Sequence, residues 1–367
     1  MSLLQVYHIV TTTALLVHGN INLPFVDGVI SSTAIDENPL KFTMDSGDGF
    51  TYVVYSDWYE KKYGKGACKS LPSGCYTCPT KCNPYKKEKY TVAFASGMMY
   101  EYSLQKGNLV LNGESVGTVE FGLIIGYSPR QAYPNEPPFN IMGLDYGSQQ
   151  GRYPIHRQLY INGVIDEWAF RICSPGQPHE FKGNLILGVS QGACPARQPV
   201  TEIQLRGPSV TAKLDSSLAT FGMVSSKGAT FSQPVTQVTI VYDTGAHPIV
   251  LPRSIFEIVL NKMVELASKD SGQDIHVKTS GVVWYVQKKG FDHLPTLTFT
   301  VGTSGGAPFT IRIPLKKYAT PCDESWCTLW LYPSPAAGII LGRPFFTTYA
   351  TGFDLPAGVM QVQEYTA

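Results

Sequence analysis

KFTMDSGDGF (residues 41–50) and VYDTGAHPIVLP (residues 241–252) are two versions of one pattern. In each, an alternating apolar run delivers an aspartate, a small hydroxyl residue and a glycine: Asp45-Ser46-Gly47 and Asp243-Thr244-Gly245. One such tripeptide alone reads most simply as a turn, because an Asp side chain caps its own backbone and glycine takes tight conformations. A second element repeats as well. FNIMGL (residues 139–144) matches GIILGR (residues 338–343), and each follows its acidic turn by about 95 residues. Two motifs repeated in the same order at matched spacing point to internal duplication. The expected organisation is two homologous halves, 20–195 and 196–367, joined near CPARQPV (residues 194–200).

Short apolar or alternating runs bounded by Gly, Pro and Asn fill the rest of the chain: YTVAFA, NLVLNG, TVEFGLIIG, NLILGV, LTFTVG and FTIRIPL. This is the pattern of a mainly β protein with many hairpins. One helix stands out, opened by a capping box at Ser254-Ile255-Phe256-Glu257 and carrying Val259, Met263 and Leu266 at helical spacing. A weaker helix signal runs near residues 154–165.

A length of 367 residues is enough for two cores. A formal charge of +1 gives no reason to expect nucleic acid or an acidic membrane as partner. The lysines at 61, 62, 65, 69, 81, 86, 87 and 89 read as a solvated loop. The cysteines fall at Cys68, Cys75, Cys78, Cys82, Cys173, Cys194, Cys322 and Cys327. Four crowd one loop, two flank a strand-rich stretch and two sit close together in CDESWC, which suggests disulfides and an oxidising compartment. The crowded loop could instead hold zinc, although it lacks paired CxxC spacing. Residues 1–19 read either as a signal peptide, with small residues before the cut but no basic start, or as an N-terminal strand. Their apolar run is too short to span a bilayer.

Two carboxylates held together about a pseudo-twofold axis cannot both ionise comfortably, so the pair holds one proton between them. The ionised member can take a proton from a water lying between them, while the protonated one hydrogen-bonds a carbonyl. His247 beside the second motif reads as structural, since such a pair needs no histidine, and His179-Glu180 lacks the second histidine of a zinc-binding helix. GTSGG (residues 302–306) is not followed by Lys-Ser/Thr, so no phosphate loop is implied.

With these residues in view, the chain resembles the pepsin-like aspartic peptidases over roughly residues 25–365. The resemblance is carried by the two Asp-hydroxyl-Gly turns, the two apolar-Gly elements and the ending ILGRPFFTTYATGFD. It implies an all-β, bilobal fold of two pseudo-twofold-related barrel-like lobes with a few short helices. It also implies a monomeric endopeptidase for peptide or protein substrates, secreted or in a vacuolar or lysosomal compartment, using Asp45 and Asp243 and no metal or organic cofactor. No membrane span is expected. Ser46, Gly47, Thr244 and Gly245 would support the catalytic pair. A hairpin flap is implied in YTVAFASGMMYEY, with Ser96 and Gly97 near its tip; Ile141 and Tyr52 would lie near the scissile bond.

The chain departs from the family at several places. Phe94 stands where the flap tyrosine is usual and Tyr52 where its tryptophan partner is, as though the hydroxyl had moved to the other ring. Asp48 replaces the usual serine after the first motif; ionised, it would raise the pair's pKa values, and protonated, it would imitate the serine hydroxyl. Within this sequence the 44 residues before Asp45 leave no room for a basic prosegment. These departures support an alternative: a catalytically inactive relative that uses the cleft to bind a peptide or protein.

Overall fold

The structure is a computed structural model; it describes residues 19–365 apart from 81, 132, 148–150, 193, 195–198 and 210. The signal-peptide reading of the N-terminus therefore lies almost entirely outside the described residues, as does most of the expected join at 194–200. Among the described residues the protein is mainly β, with 24 strands and a few helices. Turn chemistry explains the hairpins. Asp27-Gly28 and Asn112-Gly113 both adopt positive φ (53° and 75°, 52° and 83°), the conformation that matches the twist of the strands they join.

The expected duplication is present as a repeated four-strand unit. In the first half, Asn38–Asp45 runs parallel to Ile141–Gly143, which is antiparallel to Tyr52–Val54, which in turn is parallel to Glu114–Ser128. In the second, Thr239–Tyr242 runs parallel to Ile339–Leu341, antiparallel to Ile249–Pro252, itself parallel to Leu331–Ser334. The middle strand of each unit enters between the aspartate strand and the strand that follows it. That crossing explains both apolar-Gly elements. A Cβ on Gly143 would collide with the Phe50 backbone, and one on Gly342 with the carbonyls of Ala246 and Pro248.

The halves also share a sheet. Ala169–Cys173 pairs antiparallel with Tyr349–Asp354, setting Arg171 opposite Gly352 and Phe170 opposite Phe353, whose rings stack at 4.6 Å. The first half's strands and the strands near the chain's end thus belong to one 13-stranded sheet; a separate eight-stranded sheet holds the strand Thr239–Tyr242 that leads to Asp243.

The long helix spans Arg253–Ser271 and buries Ile255, Phe256, Val259, Leu260, Met263, Leu266 and Ala267. Its expected capping box is not used. Pro252 is the N-cap, no side chain caps the start, and the helix begins one residue before Ser254. A strand ending on Pro252 feeds it directly, so chain direction overrides the local cap signal. Gly272 closes it in the left-handed region, at φ 68°. The weaker helix spans Ile155–Ile161.

All eight cysteines are paired, Cys68–Cys75, Cys78–Cys82, Cys173–Cys194 and Cys322–Cys327. That leaves no thiolate for the zinc alternative. Apart from Lys81, which is not described, the lysines of the 61–89 stretch are exposed. No helix among the described residues is long and apolar enough to cross a membrane.

Candidate active site

The two aspartate turns meet face to face. Alternation along each preceding strand buries Phe42, Met44, Ile240 and Tyr242, so the chain leaves each strand with its aspartate at the meeting point of the halves. The backbone N–H of Ser46 donates to Thr244 Oγ1 (3.0 Å), and that of Thr244 donates to Ser46 Oγ (2.9 Å). Each hydroxyl then donates onward: Ser46 to the Tyr242 carbonyl (2.8 Å) and Thr244 to the Met44 carbonyl (3.0 Å). Both hydroxyls are fully buried and fully used.

The glycines complete this exchange. A Cβ on Gly47 would lie 2.5 Å from Asp243 Cγ, and one on Gly245 would lie 2.7 Å from Asp45 Cγ. Each glycine therefore packs on the other half's carboxylate, and only a residue without a side chain fits. Each also serves its own: Gly47 N–H donates to Asp45 Oδ1 (2.9 Å) and Gly245 N–H to Asp243 Oδ1 (2.8 Å). Ala246 adds a further N–H to Asp243 Oδ1 at 3.2 Å.

Asp45 and Asp243 are half-buried and hydrogen-bonded to one another. Burial pushes both carboxyls up, and each acts on the other. For Asp45 the charges of Asp243 and then Asp48 push in the same direction. For Asp243 the hydrogen bond from Asp45, the ammonium of Lys213 and two backbone N–H groups pull back. Both carboxyls are raised, and the pair titrates as a unit.

Asp48 sits beneath the first turn. Its Oδ1 accepts from Phe50 N–H (2.8 Å), and its backbone carbonyl accepts from Asp145 N–H (2.9 Å). Burial raises it, against the charge of Lys213, the Phe50 hydrogen bond and the Tyr52 hydroxyl. Tyr52 thus places its hydroxyl toward Asp48 and Tyr102. Phe94 meets Tyr52 edge-on, ring centroids 6.1 Å apart, and Tyr100 at 5.2 Å.

The hairpin formed by Lys89–Ala93 and Met99–Leu111 turns at 94–98, where Phe94 N–H donates to Met98 O and Gly97 N–H to Phe94 O, both at 2.9 Å. Ser96 and Gly97 are exposed there. Ile141 is not at a surface. It is almost fully buried, opposite Thr43 and Tyr52 in the sheet. His247 is exposed beside the Trp330 ring, 6.3 Å away.

Two charged residues at the site carried no signal in the motifs. Lys213 precedes the strand Asp215–Val224; the Leu214 carbonyl accepts from Tyr242 N–H (3.0 Å), which places Lys213 beside the second aspartate turn. Its ammonium donates to the Gly47 carbonyl and lies 3.6 Å from Asp145 Oδ2. Asp145, one residue past the first apolar-Gly element, is fully buried, and burial pushes it up to about 8. Behind it, buried His156 accepts from Trp168 Nε1–H at Nδ1 (3.0 Å), so its Nε2–H donates to the Leu144 carbonyl (3.0 Å) and the ring is neutral. Burial holds it down to about 3. An Asp one residue past Leu144 and a Lys before Leu214 were the only sequence signs of this pairing, and they lie far apart in the chain.

No protein-family model matches this chain, and no curated protein matches it.

Proposed function

We propose that the protein is an aspartic endopeptidase of pepsin-like, two-lobed architecture, with 20–195 and 196–367 as its lobes. One observation carries the reading: two Asp-hydroxyl-Gly turns from the two halves exchange hydrogen bonds, each glycine packing on the opposite carboxyl. A lone capping turn has no use for such reciprocity, whereas a carboxyl pair sharing one proton requires it.

The chemistry follows from one proton shared by the pair, and the same steps run with the two carboxyls exchanged. Asp243 takes a proton from a water held between the carboxyls as the water oxygen attacks the substrate carbonyl carbon. Asp45 donates its proton to the carbonyl oxygen, giving a neutral tetrahedral diol. The C–N bond then breaks, the amine nitrogen leaving with the proton held by Asp243 while Asp45 recovers one from the diol. Proton count balances, and the pair returns to its single-proton state. The aromatic surface of Phe94 on the hairpin suits an apolar side chain next to the scissile bond.

A second reading, a binding protein that no longer cleaves, is favoured by Phe94, which brings no hydroxyl to the hairpin tip. Incubation of an unfolded protein substrate from about pH 3 to about pH 7, with and without pepstatin, separates the two. Acid-dependent cleavage blocked by pepstatin supports the peptidase; pepstatin binding without cleavage supports the binding protein.

A further inference from the structure

The shared-proton mechanism uses Asp45 and Asp243 and leaves Lys213 without a role, although its ammonium reaches across from the second half to the backbone of the first catalytic turn. We propose that Lys213 is a positioning residue for the aspartate pair: held by the Gly47 carbonyl and Asp145, its ammonium is the fixed counter-charge that keeps the pair singly ionised. This rests on the reading of the pair as a water-activating centre.

The argument is one of charge balance. Four carboxyls gather here, those of Asp45, Asp243, Asp48 and Asp145, with one ammonium among them. Burial works against the charge on Lys213, but the carboxylates together outweigh it and hold the ammonium protonated. Burial raises all four carboxyls, and one ammonium facing them favours a single negative charge among them. Its bond to the Gly47 carbonyl sets the ammonium against the catalytic turn, so that charge belongs to the pair. Of the other groups around the cluster, the Arg152 guanidinium is charged throughout this range and is bonded to the Tyr102 hydroxyl at 2.6 Å and seated over the Tyr90 ring. Tyr52, Tyr102 and Tyr146 are pushed up by burial, His156 is neutral, and Asp215 is spoken for by Arg206 at 2.5 Å.

Geometry strengthens the link to the pair. Lys213 bonds the carbonyl of the same Gly47 whose α-carbon packs on Asp243 and whose N–H donates to Asp45. Loss of the ammonium takes a positive charge from beside a carboxyl pair, which makes its first ionisation harder. The sign is therefore upward.

The test follows the carboxyl carbons of Asp45 and Asp243 by NMR through pH in protein with 13C-labelled aspartate, alongside kcat/KM for peptide cleavage. The variants are Lys213→Met, Lys213→Arg and Lys213→Met/Asp145→Asn, the last guarding against misfolding around an orphaned Asp145. Lys213→Met and the double variant should move both the first ionisation of the pair and the acid limb of kcat/KM up by about one pH unit. Lys213→Arg should keep both in place. A first ionisation unmoved in both Met variants overturns the proposal, even if they melt at lower temperature, because a merely structural strap would lower stability alone. If the wild type cleaves no peptide, the peptidase reading falls, and the carbon titration still decides whether Lys213 sets the charge of the pair.

Discussion

Ser46 and Thr244 each donate a backbone N–H to the other's hydroxyl, at 2.9–3.0 Å, across the line where the two halves meet. Because each hydroxyl also donates to a carbonyl of the opposite half, this exchange fixes the aspartates that precede it. Thr244→Ala leaves the Ser46 N–H and the Met44 carbonyl buried without partners. The expected cost is about 1–3 kcal/mol in denaturant unfolding, together with a fall in kcat. Thr244→Ser keeps the hydroxyl and should recover most of both.

Gly47→Ala and Gly245→Ala each place a methyl within van der Waals overlap of the opposite carboxyl, at 2.5 and 2.7 Å. Neither glycine needs a positive φ, so the loss should come from displacement of the pair and not from backbone strain. Activity should drop by about a hundredfold or more, since small misplacements of catalytic groups cost that much. Pepstatin affinity should fall in parallel, because the inhibitor needs the same carboxyl geometry.

Asp48 raises Asp45 by its charge. Asp48→Ser keeps an oxygen for the Phe50 N–H and removes that charge. Raised carboxyls fall when a like charge leaves, so the alkaline limb of the pH–rate profile, where Asp48 is ionised, should move to lower pH by about half a unit while the acid limb stays in place. A profile that moves upward would contradict the assignment of Asp48 as a like-charge neighbour.

Asp145 is held at about 8, far above its unfolded value. A carboxyl raised on folding costs no stability while both states are protonated. It lowers stability as pH rises from the unfolded value through the folded one. Asp145→Asn removes that slope, so the loss of stability between about pH 5 and about pH 8 should shrink by about 4 kcal/mol, read from thermal or urea unfolding at each pH.

The aspartate turns and apolar-Gly elements were legible because each needs glycine at a close approach, and that demand leaves a local mark twice. Gly143 and Gly342 answer to a strand crossing, Gly47 and Gly245 to an opposing carboxyl, so the duplicate spacing carried the topology with it. Lys213 and Asp145 were not legible, because nothing in either local stretch indicates that chain folding brings them to 3.6 Å. The capping box at Ser254 failed for a different reason: Pro252 fixes the entry of the chain and starts the helix before the box can act.

The most direct test of the central claim is peptide cleavage by Asp45→Asn and Asp243→Asn, each measured beside the wild type across the acidic range with folding checked by circular dichroism. The account predicts cleavage by the wild type and its loss, by at least about a thousandfold, in each folded single variant, since neither carboxyl alone can both activate water and protonate the carbonyl. Wild-type protein without cleavage, or cleavage surviving in either variant, would contradict it.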